Sequence, residues 1–259
     1  MSLSLEELAG RRTISVRGIE AHISVVGEGD PLLLLNGINR SPGSWEPFVA
    51  ALPGRTVVVL DSPGVGGPGP VLPLSIRRLA DLAAAVLGEL AVDRADVLGY
   101  SHGGAVAQEM AWRHPDRVRR LVLVSTSCGL GSTPGGWGGF ANVARALAGV
   151  SGTAVLRALG NALALASWSS IPYLGSLTTP TLVVCGTEDI VTPPANSRTL
   201  ATRIPHATLA LLPGGHDLQR PDAAASLARI VESFLADPLA TTTADATAWV
   251  GELEDPRRD

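Results

Sequence analysis

A serine with a glycine two residues away on either side, Gly99-Tyr100-Ser101-His102-Gly103, stands where an apolar, strand-like run gives way to a helix-forming one. A serine hydroxyl is a weak nucleophile until a base takes its proton, and the base must itself be oriented by a third group. The setting of Ser101 meets the mechanical part of that requirement. A sharp strand-to-helix bend lifts the hydroxyl above a sheet, and small neighbours are needed because backbone passes closely on both sides. The free N–H groups and positive end of the following helix favour negative charge developing there. The amide of His102 is then one arm of an oxyanion hole.

The chain has five histidines. His22 lies in an early alternating segment and reads as a sheet-surface residue. His102 belongs to the bend, His114 closes the helix after it, and His206 opens a strand-like run. His216 differs, because Leu212-Pro213-Gly214-Gly215-His216-Asp217 is a loop directly after a short apolar strand and before the last helix. From there an imidazole reaches across the strand ends towards Ser101 as general base. The orienting acid should follow another late strand. The run 181–185 is strongly strand-like, and Asp189 in the next loop takes the favoured position, with Glu188 and Asp217 as rivals.

A second oxyanion donor should come from a turn after a neighbouring strand. The apolar run 32–35 leads into Asn36-Gly37-Ile38, where a glycine lets the chain turn sharply; the amide of Ile38 is the expected donor. Asn36 braces this loop with its side chain or forms a plain Asx-turn, and it is also a candidate for the substrate pocket. The glycine-rich stretch after Asp61 lacks a phosphate-loop lysine and a G-x-G-x-x-G entering a helix, so it reads as a tight loop at the site's rim.

These loops need a sheet to carry them. At 259 residues the chain can build one sizeable α/β domain. Strands are expected within 13–26 and at 31–35, 56–60, 95–99, 118–124, 180–185 and 207–212, with helices near 75–91, 102–113, 194–203 and 221–236. Continuous apolar runs such as Leu121-Val122-Leu123-Val124 fit a mostly parallel sheet covered by helices on both faces. The alternating 13–26 segment fits an antiparallel hairpin at the sheet edge. The expected organisation is a core of 1–127 and 178–236, a small helical cap over 128–177, and a poorly ordered extension at 237–259. The insertion contains no acidic residue and two arginines, Arg145 and Arg157. Its Trp137, Phe140, Trp168 and Tyr173 either line an apolar pocket wall or pin the cap to the core.

Composition narrows the function classes. The chain has no lysine, which excludes Schiff-base and Ser–Lys chemistry. With a formal charge of −4 and no basic face, nucleic acid is not an expected partner. Arg117, Arg119 and Arg120 read as a solvated strand entrance. The two cysteines are far apart, read as thiols, and offer no metal-site spacing; neither metal nor cofactor is expected. No segment reads as a membrane span and no signal segment opens the chain, so the expected setting is cytoplasmic with no stable membrane insertion. Oligomeric state has no readable signal.

Taken together, these motifs make the chain resemble the α/β-hydrolases, in which the acid and the histidine follow the nucleophile in that chain order. Within them it is similar to the intracellular poly(3-hydroxyalkanoate) depolymerase-like group. The similar pieces are Leu35-Asn36-Gly37-Ile38, the stretch from Asp61 to Gly67, Gly99 to Ala105, Trp168-Ser169-Ser170-Ile171, and the blocks holding Asp189 and Gly215-His216. The chain departs from that group in a shorter cap and in His102, where the group carries tryptophan. The resemblance implies Ser101 as nucleophile, Asp189 as acid, His216 as base and ester bonds as substrate class; the expected function is hydrolysis of carboxylic esters of apolar or moderately sized substrates through an acyl-enzyme. Thioesters, lactones, a cofactor-free haloperoxidase-like reaction or an inactive binding role on the same scaffold are the alternatives.

Overall fold

The structure, a computed structural model, describes residues 12–16, 18–38, 40–61, 74–135 and 152–237. Eight strands form one sheet: β1 (Arg12–Val16), β2 (Ile19–Val26), β3 (Asp30–Leu35), β4 (Arg55–Asp61), β5 (Ala95–Tyr100), β6 (Val118–Val124), β7 (Thr181–Gly186) and β8 (Ala207–Leu212), in the order β1-β2-β4-β3-β5-β6-β7-β8. The first hairpin pairs antiparallel, as does β2 with β4, and every later pairing is parallel. The helices described are α1 (Glu46–Ala50), α2 (Ile76–Glu89), α3 (His102–Arg113), α4 (Gly152–Ala166), α5 (Pro194–Arg203) and α6 (Pro221–Ala236).

The period of two along each strand sorts side chains into two cores. Leu33, Leu35, Val58, Leu60, Val97, Leu121, Leu123 and Val183 face one side and pack against α2 and α3 through Leu79, Val86, Val106 and Met110. The alternate residues Leu32, Leu34, Val57, Val59, Leu98, Val122, Val124 and Val184 face the other, where Trp45, Phe48, Leu227 and Val231 cover them. Each such side chain contributes roughly 1.5–3 kcal/mol on burial. Such two-sided burial explains why the strands read as unbroken apolar runs.

Strand order places the site. The chain steps from β3 outward to β4 and returns on the opposite side of β3 as β5, so Leu35 pairs with Leu60 on one flank and Gly99 on the other. Ligands of open α/β sheets bind at the carboxyl ends of the strands beside such a reversal. At the opposite end, the arginines by β6 depart from the solvated entrance expected of them. Arg119 bridges Asp96 and Asp30, Arg120 is buried and donates to the Asp237 carbonyl, and Arg55 pairs with Asp96 and Glu232. Asp96 is fully buried, and a buried carboxylate must be paired, which recruits Arg55 and Arg119.

A small helical insertion separates β6 from β7. Gly129 bridges Ser169 across its stem, and α4 leads back towards β7. Among the described residues, no helix is long and apolar enough to cross a membrane. Trp137, Phe140 and residues 238–259 lie outside the described residues, as does the glycine-rich stretch 62–67.

Candidate active site

Ser101 takes φ 53 and ψ −116 at the junction of β5 and α3, a backbone region that a side-chain-bearing residue occupies only under constraint. The constraint is visible. Its N–H donates to the Val124 carbonyl at 2.9 Å, and its carbonyl accepts from Gly104 N–H at 2.9 Å and from the Thr126 hydroxyl at 2.7 Å. A Cβ on Gly99 would lie 2.4 Å from the Gly103 carbonyl oxygen, and one on Gly103 would lie 2.1 Å from that of Leu35. The two glycines flanking the serine are therefore required by close backbone approach.

His216 reaches this bend from the loop after β8. Its Nε2 lies 3.1 Å from Ser101 Oγ, and its Nδ1 lies 2.8 Å from Asp189 Oδ2. An ionised carboxylate only accepts, so Nδ1 carries the proton and Nε2 is left to accept from the serine hydroxyl. Asp189 is buried, and its other oxygen accepts the amides of Val191 and Thr192 at 2.9 and 2.8 Å. The Tyr100 ring packs on the imidazole at 5.3 Å between centroids. Glu188 is exposed and Asp217 pairs with Arg40, so of the three acids considered it is Asp189 that meets the histidine.

The loop after β3 packs directly on the bend. A Cβ on Gly37 would lie 3.0 Å from the Tyr100 ring and 3.4 Å from Ser101 Cβ. Asn36 braces this loop. Its Nδ2 donates to the Ser41 carbonyl and the Ser44 hydroxyl, both at 2.9 Å, while its Oδ1 accepts Gly37 N–H and Gln219 Nε2. Ile38 is half-buried just beyond it.

His102 opens α3, where its N–H belongs to the unpaired first turn. The imidazole is fully buried, Nε2 finds no hydrogen-bond partner among the described residues, and burial pushes its pKa down to about 4, so it is neutral at pH 7. Cys185, at the end of β7, has Sγ 3.9 Å from Asp189 Oδ2. Burial pushes this thiol up to about 11, which keeps it protonated. Both cysteines are free and buried.

Trp168 and Tyr173 are placed away from the serine. The indole N–H and the phenol both donate to Glu109 Oε2, at 2.9 and 2.8 Å, and Tyr173 stacks on Trp112 at 4.4 Å. Glu109 lies about 12 Å along α3 from Ser101, two turns away. These contacts dock the stem of the insertion on α3. Among the described residues, no three His, Cys, Asp or Glu side chains are grouped to hold a metal ion.

Sequence reasoning missed Arg40 and Gln219. Arg40 pairs with Asp217 and lies 5.8 Å over the Tyr100 ring, and Gln219 ties the histidine loop to Asn36. The available signal was a lone cation in a loop after a strand, which identifies no partner.

A family model described as alpha/beta hydrolase fold matches residues 30–143, and one described as Serine hydrolase (FSH1) matches residues 94–222. A poly(3-hydroxyalkanoate) depolymerase from Ectopseudomonas oleovorans is 33% identical over 238 residues, covering 79% of this chain and 84% of the relative. Among solved structures, Est816, described as an N-acyl homoserine lactone degrading enzyme, is similar at 30% identity with a TM-score of 0.71, covering 86% of this chain and 100% of its own. The enol-lactonase from Burkholderia xenovorans LB400 is similar at 25% identity with a TM-score of 0.73, covering 87% and 100%. A strained serine on a strand-to-helix bend, a histidine and a buried aspartate from two later loops, and this degree of likeness lead to one assignment: the chain is a serine hydrolase that belongs to the α/β-hydrolase superfamily.

Proposed function

We propose that the protein cleaves carboxylic esters of apolar acyl groups through an acyl-enzyme on Ser101. The observation that carries this reading is the continuous Ser101–His216–Asp189 chain, with contacts of 3.1 and 2.8 Å. Ser101 Oγ attacks the ester carbonyl as its proton passes to His216 Nε2, and the amides of Ile38 and His102 hold the oxyanion. Collapse of the tetrahedral intermediate breaks the bond to the alcohol oxygen, which takes the proton from His216. Water, deprotonated by the same nitrogen, then attacks the acyl-serine, and the acid leaves as the serine recovers its proton. Asp189 keeps the imidazole in the required tautomer and offsets the charge it gains.

Likeness to the depolymerase supports aliphatic esters, and the short insertion supports small ones over polymer. In this reading 128–177 acts as a lid over the core, and two buried free thiols fit a reducing cytoplasm. A second reading is a lactone, a cyclic ester opened by the same steps, and the likeness to Est816 and the enol-lactonase favours it.

A panel of p-nitrophenyl esters from acetate to laurate, with γ- and δ-lactones assayed beside it, tests both readings. The expected result is turnover of one class that falls at least ~1,000-fold in Ser101→Ala with melting unchanged. Near-normal turnover in that variant would remove the proposal.

A further inference from the structure

His216 has two carboxylates within reach of its loop, and the geometry engages one of them. Asp189 accepts its Nδ1–H, whereas Asp217, its neighbour in the chain, is turned away to Arg40. Asp217 Oδ2 takes the guanidinium, and Oδ1 is enclosed with no hydrogen-bond partner among the described residues. Arg40 comes from the loop after β3 and is 177 residues distant in sequence. It also lies over one side of the Tyr100 ring, which itself packs on the imidazole. A second cross-link, Gln219 Nε2 to Asn36 Oδ1 at 3.3 Å, joins the same two loops.

We propose that Arg40 is a positioning residue that holds Asp217 away from the imidazole and cancels its charge, so that Asp189 alone orients His216. The inference rests on His216 being the general base. The other titratable or charged groups around that ring are Asp189 and the exposed Glu188 from the loop after β7, and Tyr100, Ser101 and His102 from the bend. Burial raises the Tyr100 phenol and keeps it neutral, and His102 is neutral at pH 7, so Asp217 is the negative charge that Arg40 is placed to cancel.

The test is the acid limb of the kcat/KM–pH profile, which reports the neutral imidazole of the free enzyme. Without Arg40 an uncompensated carboxylate beside the imidazole favours its protonated form, so in Arg40→Gln the limb should move up by about one pH unit. In Asp217→Asn the uncompensated guanidinium acts oppositely, and the limb should move down. The double variant Arg40→Gln/Asp217→Asn should return to the parent position, and Arg40→Lys, which keeps the charge, should stay there.

A loop that merely loosened would lower the rate without these opposed shifts. Limbs that move together, do not move, or fail to return in the double variant would overturn the proposal, as would a limb in Arg40→Lys shifted as far as in Arg40→Gln. Where Arg40→Gln melts, the downward shift in Asp217→Asn and its absence in the double variant carry the test. The same profiles are to be measured by the rate at which a fluorophosphonate labels Ser101, a reaction that needs the base but no ester. A parent protein that labels but turns over no ester or lactone defeats the substrate reading and leaves the Arg40 comparison fully measurable.

Discussion

The Nδ1 of His216 lies 2.8 Å from Oδ2 of Asp189, while the opposite oxygen of that carboxylate accepts the amides of Val191 and Thr192. One buried side chain thus does two jobs, and substitution separates them. Asp189→Asn leaves an oxygen for the loop amides but presents an N–H to the imidazole, which must then move its own proton to Nε2. The expected result is a fall in kcat of ~1,000- to 10,000-fold, by analogy with the serine-protease triad, with folding stability within about 1 kcal/mol. Asp189→Ala should lose activity similarly and a further ~2 kcal/mol of stability, because two amides lose their acceptor. Steady-state kinetics beside urea melts separate the two effects.

The glycines around the serine should differ in what they protect. At Gly103 a methyl group meets the Leu35 carbonyl oxygen at 2.1 Å, and neither backbone can yield cheaply. Gly103→Ala is expected to cost about 3 kcal/mol of stability. At Gly37 the methyl meets the Tyr100 ring at 3.0 Å and Ser101 Cβ at 3.4 Å, contacts that a small shift relieves. Gly37→Ala should therefore melt near the parent while kcat falls about tenfold, since the shift displaces the bend that holds the serine. Equal melting losses in the two variants would contradict this distinction.

The sheet and the three catalytic side chains were legible because each of Ser101, Asp189 and His216 stands just after an apolar strand, and strand ends in a parallel sheet converge on one edge. What was hidden depends on contacts between distant segments. Arg40 and Asp217 are separated by 177 residues, and neither has a local pattern that names the other. The arginines of β6 read as solvated because charged residues usually are; the buried Asp96 that draws in Arg119 carries no sequence mark of its burial. The five-residue helix α1 is too short to show a helical period. The shared hydrogen bonds of Trp168 and Tyr173 to Glu109 were hidden as well, since the acceptor lies about sixty residues earlier in the chain.

That shared acceptor yields a stability prediction. Burial, followed by the nearby Glu109 charge, raises the Tyr173 phenol, so it remains a donor across the working pH range. Glu109→Ala removes the acceptor for the phenol and the indole N–H together and should cost about 3 kcal/mol in urea denaturation. Glu109→Gln keeps a carbonyl in the same place and should cost about 1 kcal/mol. Trp168→Phe in the alanine background should add less than it does in the parent, because its partner is already gone.

His102 should impose an acid limit on stability. Its imidazole titrates near 6.5 in an unfolded chain and is pushed down to about 4 by burial in the folded one. Between those values the unfolded state takes up a proton that the folded state refuses. Stability is therefore fully present above about pH 6.5 and is lost as pH falls towards 4, by about 3 kcal/mol from this group. Replacing it with methionine, a neutral side chain of similar size, removes the titrating group while keeping the backbone amide that opens α3. Urea melts of parent and His102→Met at pH 7 and pH 4.5 should show the variant gaining relative to the parent at the lower pH by about 2–3 kcal/mol. Parallel losses in the two proteins would contradict this assignment to His102.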